Sequence, residues 1–600
     1  MSHRHVFTKT LWGLLSGSLI DANSVQAAIW CVNSPSELQS ALSNAGISVE
    51  SDDIRLQTGT YSLLGPAFYA PAMSKATVVS GGWGPQCALQ AADNSLTQLD
   101  GRLNGQVFGM NAVAGSFADL TLSNLTFKNG YSTTSGACIF LSTSGIVRLQ
   151  SVHVTQCMLD GSLNYGGGIY VDRAAQIELS DDVIDGNKAP AGAAIMVAAA
   201  NDLVFRNTRI EGNEVTAVGG AIVQYSGFGG TNPTLEVSTS RFAGNSGLAL
   251  YGGGPSVEIE GSTFLGNTRA DPGTQEECGI LGAGDANQPK SGSITISGSS
   301  FTGSGQPGGS CLQLSAASSA SSGEPGSISI TGSSFTGFTN GVLPMLSSRA
   351  TTLARDYFAD NTGYAAVESW SPSLHITQTK FVRNAGSTFP GAVLANAFVG
   401  TIAIDNSLFD GNHSDASGGA VNISLGCQGG ICDSDTTATV TFTNNTFVNN
   451  QSGGDGGAIA LSSAFDQSPV VALWNNLLWN DEATGRGPDV YFNNDSDGDF
   501  SPTPITLASN AYAASGIDIR VPEVPLVGGD LNITDPQFDS GGNGDYRLSA
   551  SSPLVDSGSA SAPSLGHDDI AGLPRTSGAG PDIGAHETNA DEIFRSHFEL

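Results

Sequence analysis

Two short signatures alternate along this chain, and their spacing constrains the fold more than any other feature. Ser407-Leu-Phe-Asp-Gly-Asn412 is followed by Gly418-Gly-Ala-Val421, and Asn445-Thr-Phe-Val-Asn-Asn450 by Gly456-Gly-Ala-Ile459. The aromatic or aliphatic position of F-x-x-N is filled in turn by Phe127, Val154, Ile184, Ile210, Phe242, Phe264, Phe301, Phe335, Phe358, Phe381, Phe409, Phe447 and Leu477, at gaps of 22 to 38 residues. Its asparagine recurs as Asn187, Asn213, Asn245, Asn267, Asn361, Asn384, Asn412, Asn450 and Asn480. A fixed unit of about 22 residues with loops inserted in some turns is the mark of a solenoid.

Within each unit the residues alternate strictly, as in Leu235-Glu-Val237, Val257-Glu-Ile259, Ile294-Thr-Ile296 and Ile328-Ser-Ile330. Period 2 puts one face in and one face out. Short strands, a 22-residue turn and Gly/Asn corners predict an all-β fold, the right-handed single-stranded parallel β-helix. Equivalent Phe and Ile side chains then stack inside, equivalent asparagines form an amide ladder, and the glycines of GGA(I/V) permit positive φ. About a dozen regular rungs predict a rod of roughly 60 Å before its ends are added.

The ends read differently. Ser34-Pro-Ser-Glu37 is a capping box, and Leu38, Ala41, Leu42 and Ala45 follow at helical spacing before Gly46. This predicts a helical cap over the first strands, Ile54-Arg-Leu56, Thr77-Val-Val79 and Leu99. The expected organisation is a signal peptide over 1–27, cap and first rungs over 28–104, β-helix over 105–521, a closing module over 522–590 and a tail or sorting tag over 591–600.

Arg4 and Lys9 precede an apolar run from Leu11 to Ile20, and Val25-Gln-Ala27 supplies a cleavage site, the pattern of an export signal. The run is too short for a membrane span, which needs roughly 20 residues. Cleavage after Ala27 would change the formal charge from −32 to −33. That charge disfavours nucleic acid and anionic membranes. Eight cysteines in an exported chain point to disulfides. Spacing suggests Cys31 with Cys87, Cys278 with Cys311 in successive units, Cys427 with Cys432 across a loop, and Cys138 with Cys157 as the remaining pair.

Three groups of residues could carry chemistry. Asp185 and Glu211 hold equivalent positions in Ile184-Asp-Gly-Asn187 and Ile210-Glu-Gly-Asn213, so they should project side by side about 5 Å apart. Like-charge proximity would raise one pKa and make a glycosidase acid; the same pair also reads as solvated turn residues. Asn493, Asp495, Asp497 and Asp499 match the first half of a calcium loop, but position 12 is Pro504 in place of the bidentate Glu. Arg575 lies among Asp556, Asp568, Asp569, Asp582 and Glu587, where a structural ion pair with an acid such as Asp582 or Glu587 is expected. His153 and His375 occupy outward strand positions, which suggests solvent.

The paired GGA(I/L/V) and F-x-x-N tetrapeptides resemble the repeats of the polymorphic outer membrane proteins, β-helical surface adhesins and autotransporters. Intact copies are Gly219 to Ile222, Gly418 to Val421 and Gly456 to Ile459, with Phe242/Asn245, Phe264/Asn267, Phe358/Asn361, Phe381/Asn384, Phe409/Asn412 and Phe447/Asn450. The residues after the last rung lack the alternating strands of an autotransporter barrel. Instead, Asp535-Pro-Gln-Phe538, Asp545-Tyr-Arg-Leu548, Ser552-Pro-Leu-Val-Asp556 and Asp582-Ile-Gly-Ala-His-Glu587 are similar to a choice-of-anchor-type module, and Ile593 to Glu599 resembles a short terminal segment of exported Gram-negative proteins.

These resemblances imply a secreted or surface-attached protein of a Gram-negative bacterium. The reading favoured by the sequence is a non-catalytic monomeric adhesin or polysaccharide-binding rod that meets a polysaccharide or cell-surface ligand. A polysaccharide lyase or glycoside hydrolase of pectate-lyase-like architecture is the alternative, by fold analogy alone. The six lysines, Lys9, Lys75, Lys128, Lys188, Lys290 and Lys380, are scattered, where a lyase would gather a basic residue beside a calcium site.

Overall fold

The computed structural model describes residues 28–588 except 64, 66, 114, 162–163, 219, 226–232, 270–275, 285–290, 319–324, 398–399, 427–437, 465–469, 494–504, 514–515, 521–528 and 540–543. Three long parallel sheets run along one rod, and two short ones, of four and five two-residue strands, form where the chain passes from the second to the third. The first holds 17 strands, from Ala28–Val32 to Ile505–Ala508; the second runs from Gly59–Ser62 to Leu531–Asn532; the third holds 16, from Phe68–Met73 to Ile517–Arg520. One turn illustrates the path: Gln176–Ser180, Val183–Asp185 and Ile195–Val197 occupy the three sheets, and Asp202–Arg206 returns to the first, in parallel register with Gln176–Ser180. Seventeen strands at about 4.8 Å give a body roughly 75 Å long.

The interior column follows the repeat. Phe242, Phe264, Phe301, Phe335, Phe358, Phe381, Phe409 and Phe447 are fully buried and stack at centroid separations between 4.6 and 5.0 Å. That spacing is the rung repeat itself, so every ring meets two neighbours without a void. One position is corrected. Leu478 pairs with Phe447 and continues the column, whereas Leu477 pairs with Thr446 and faces the other way. The ladder residue of that rung is accordingly Asp481; Asn480 occupies the preceding left-handed position, with φ 56°.

The asparagine ladder lines the corner after the second sheet. Asn384 Oδ1 accepts from the amide nitrogen of Asn361 at 3.3 Å and from its Nδ2 at 2.9 Å, while Asn384 Nδ2 donates to Phe358 O at 3.0 Å. Each amide thus satisfies corner groups that water cannot reach. A second ladder, between the first and second sheets, is built of hydroxyls: Ser240 N donates to Ser262 Oγ, Ser262 N to Ser299 Oγ and Ser299 N to Ser333 Oγ, at 3.1, 3.1 and 3.2 Å. Just before the chain enters the third sheet, Gly418 has φ 78°, and a Cβ on Gly419 would lie 2.0 Å from Gly457 O. The first glycine of the pair serves a backbone conformation and the second a close approach.

At the open end, helix Pro35–Ile47 buries Leu38, Ala41, Leu42 and Ala45 and packs on Phe68–Met73. The helix continues past the expected stop at Gly46, where a side chain would come within 2.2 Å of Pro71 O. Disulfides join Cys31 to Cys87, Cys138 to Cys157 and Cys278 to Cys311. Cys427 and Cys432 lie outside the described residues.

The C-terminal segment does more than close the far end. After Leu531–Asn532 pairs beneath Ala511–Tyr512, the chain turns back along the outer face of the second sheet. Phe538, Tyr546 and Ile570 pack there with Leu408, Val448 and Trp479, and Leu548, Leu554 and Ile583 with Leu477 and Ala511. Tyr546 Oη donates to Asp410 Oδ1 at 2.7 Å, and Gln378 Nε2 to Asp569 O at 2.5 Å.

Candidate functional site

The strand register puts Asp185 beside Glu211 on the outer face of the second sheet. Their environment is not that of a catalytic acid. Asp185 Oδ1 lies 3.0 Å from His153 Nε2, and Glu211 is held between Arg209 at 2.6 Å and Arg241 at 2.8 Å. Partial burial pushes both carboxyls up, but hydrogen bonds from His153 and Thr155 with the charges of His153 and Arg209 at Asp185, and hydrogen bonds and charge from Arg209 and Arg241 at Glu211, outweigh it and lower both pKa values. The expected raised pKa is therefore corrected: neither group keeps a proton to donate at neutral pH. Lys188 pairs with Glu214 at 2.5 Å rather than with this pair. His153 and His375 do point outward, yet each contacts an acid; His375 Nε2 is 2.5 Å from Asp405 Oδ2, and its pKa is raised by that hydrogen bond.

Arg575 is buried in the returning segment. Its Nη1 is 3.2 Å from Glu587 Oε2, both side chains being 1% exposed. Its Nη2 donates to Ala585 O at 2.8 Å and to Asn406 Oδ1 of the rod. Burial, then the charge of Asp582, pushes the Glu587 carboxyl up to about 8. Asp582 takes backbone amides of Asp556 at 2.8 Å and Thr588 at 2.7 Å. All these groups fix the contact between the returning segment and the rod. Asn493 ends the strand Val490–Asn493, which pairs with Ile459–Ala464; Asp495, Asp497 and Asp499 lie outside the described residues. No group of three His, Cys, Asp or Glu side chains suited to a metal occurs among the described residues.

A groove that sequence reasoning missed lies at the capped end. It has a volume of about 830 Å³ and runs between the helix and the first strand of the third sheet, past Ser36, Ser40, Ser43, Asn44 and Tyr69. Gln39 fixes its floor, its Nε2 donating to Tyr69 O at 2.9 Å while its Oε1 accepts from Tyr69 N at 3.0 Å. Every described lining residue is uncharged. Tyr69, which lines the groove, also heads a register column on the outer face of the third sheet that continues through Gly109, Phe140 and Tyr170. The Tyr69 ring leans over Gly109, where a Cβ would meet Cδ2 at 2.9 Å, and Asn111 Nδ2 donates to its hydroxyl at 2.8 Å. Phe140 and Tyr170, both half-buried, stack at 5.5 Å with planes 19° apart. The available signal was the aromatic at the outward position of Ile139-Phe-Leu141 and Ile169-Tyr-Val171.

Residues 111–290 match the family model described as the right handed beta helix region. Among solved structures, the crystal structure of pectate lyase Pel9A aligns at 12% identity over 94% of this chain and 98% of that one, with a TM-score of 0.22. The structure of the PL6 family alginate lyase AlyGC aligns at 11% identity over 80% of this chain and all of the other, with a TM-score of 0.17. At those scores the likeness carries no functional argument. No curated protein matches. The fold class is the right-handed parallel β-helix, with stacked repeats and disulfides. No described helix is long and apolar enough to cross a membrane.

Proposed function

We propose that this chain is an exported, non-catalytic, glycan-binding rod of a bacterial surface, an adhesin or polysaccharide-binding protein that engages neutral sugars at its capped end. The observation that carries the reading is the groove of uncharged hydroxyl and amide groups lined by Tyr69, whose register column continues along the outer face of the third sheet through Gly109 to the stacked Phe140 and Tyr170 rings. Sugars present apolar ring faces edged by hydroxyls, which suit aromatic platforms flanked by neutral donors and acceptors. The leader-like N-terminus, the adhesin-like tetrapeptides and the anchor-type C-terminal motifs support export and surface attachment. A glycosidase reading needs a proton donor, and the lowered pKa values of Asp185 and Glu211 argue against that pair.

The test is binding of the purified protein to immobilised neutral polysaccharides, with Tyr69→Ala and Tyr170→Ala beside the wild type. Both substitutions should weaken binding about tenfold, given that loss of an aromatic platform is worth roughly 1–2 kcal/mol. Unchanged binding by both would remove this groove from consideration.

A further inference from the structure

From the groove where the returning C-terminal segment meets the second sheet, we infer a binding site for an acidic sugar residue. It has a volume of about 570 Å³ and is lined by Arg355, Tyr357, Gln378 and Lys380 of the rod and by Asp568 and Ile570 of the segment. It lies far from the capped end and is separate from the groove described above.

The charge pattern makes this groove unusual. The chain carries a formal charge of −32, and its cations commonly sit against acids, as Arg209, Arg241, Arg383 and Arg486 do. Arg355 and Lys380 form no ion pair with a carboxylate among the described residues, yet both line one cavity. Arg355 is oriented: its Nε donates to Gln378 Oε1 at 3.0 Å, and Gln378 in turn donates to Asp569 O at 2.5 Å. Gln378 therefore ties the guanidinium to the tip of the returning segment and leaves its terminal nitrogens to other partners. Asp356 also lines the groove, but its oxygens accept backbone amides of Ser333 at 2.8 Å and Ala354 at 3.1 Å, so it is turned into the corner ladder.

The remaining groups fit one kind of ligand. Lys380 follows Tyr357 in register on the next rung, so an ammonium stands beside a ring that is 38% exposed. A carboxylate would be taken by Lys380 and Arg355 through charge-assisted hydrogen bonds. Sugar hydroxyls would donate to Asp568, and the apolar face of the ring would lie on Tyr357. A simple inorganic anion uses only the two cations and meets the Asp568 charge without compensation. A uronic acid uses all four groups.

The test is calorimetric titration at low ionic strength with a galacturonic acid trimer, its methyl ester and inorganic phosphate. The trimer should bind saturably, its ester at least tenfold more weakly, and phosphate should not displace it at equal concentration. Lys380→Gln and Arg355→Gln should each weaken the trimer about tenfold, while Tyr69→Ala in the first groove should leave it unchanged. Failure of the trimer to bind, equal binding of the ester, or indifference to both substitutions overturns the assignment. Displacement by equimolar phosphate overturns the sugar class in favour of a general anion site. Loss of trimer binding in Tyr69→Ala would place the sugar at the other groove and overturn it as well.

Discussion

Asp481 Oδ1 accepts the backbone amide of Asn450 at 2.7 Å and its side-chain amide at 2.8 Å, taking the ladder position that Asn361, Asn384, Asn412 and Asn450 hold in the four preceding rungs. Each of those asparagines also donates Nδ2 to the carbonyl of the column residue one rung back, as Asn450 does to Phe409 O at 3.0 Å. Asp481 has an oxygen where that donor belongs. Its Oδ2 is buried without a partner, and burial together with the charge of Asp489 raises its pKa well above the ordinary value.

Replacing Asp481 by Asn therefore completes the ladder, with Nδ2 facing Phe447 O. An unsatisfied buried polar atom costs about 1–3 kcal/mol, so Asp481→Asn should raise the unfolding midpoint at pH 7 in thermal denaturation. A lowered midpoint would mean that the aspartate is wanted for its charge.

Stability should fall as pH rises from 5 to 8.5. Burial raises Asp182 to about 8 and Asp356 and Asp489 to about 7, against roughly 3.9 for an unfolded aspartate. The folded state thus holds these protons more tightly. Their stabilising contribution is complete below about pH 4 and is lost as pH climbs through 7 to 8. Asp545, lowered to about 2 by its hydrogen bonds with Arg547, works in the opposite sense, but only below that window. Differential scanning calorimetry at constant ionic strength reads the slope, and Asp489→Asn should flatten it. A midpoint that rises toward pH 8.5 would contradict the assignment.

Phe301 stacks between Phe264 at 4.8 Å and Phe335 at 4.7 Å. Phe301→Ala leaves a gap in the column and should cost about 3–5 kcal/mol in chemical denaturation. Phe301→Leu should cost clearly less, because Ile210 fills the same column position one rung before Phe242. Equal losses would mean that the rings do not act as a continuous stack.

Arg575→Ala removes the link to Asn406 and leaves Glu587 buried beside Asp582. Breaking a buried pair costs about 3–5 kcal/mol, and here the loss should fall on docking of the returning segment. Limited proteolysis should cut between residues 530 and 588 while the rungs before Gln378 stay protected. An unchanged digest would show that apolar contacts of Phe538, Tyr546 and Ile570 suffice.

The rod was legible because each rung writes the same two instructions, an inward Phe and a corner Asn, so register could be read off spacing. Register failed at Leu477-Leu478 and Asn480-Asp481, where two adjacent residues of like character fit equally well and only pairing with Phe447 decides. The hydroxyl ladder escaped notice because single serines before a strand carry no distinctive signal. For Asp185 and Glu211, adjacency was readable, but their cationic partners come from other rungs, as with Arg241, or from a histidine read as solvated. The return of the C-terminal segment over the second sheet, and with it the Arg355 and Lys380 groove, rests on contacts between residues nearly 200 positions apart, which no local pattern records.

The central claim is that the protein binds glycans and does not cut them. The measurement that tests it most directly is a polysaccharide panel, with and without calcium, in which binding and chain length are followed on the same sample. The account predicts retention of at least one neutral polysaccharide with its chain length unchanged, and loss of that retention in Tyr69→Ala. Shortening of any polysaccharide, abolished by Asp185→Asn or Glu211→Gln, would contradict it.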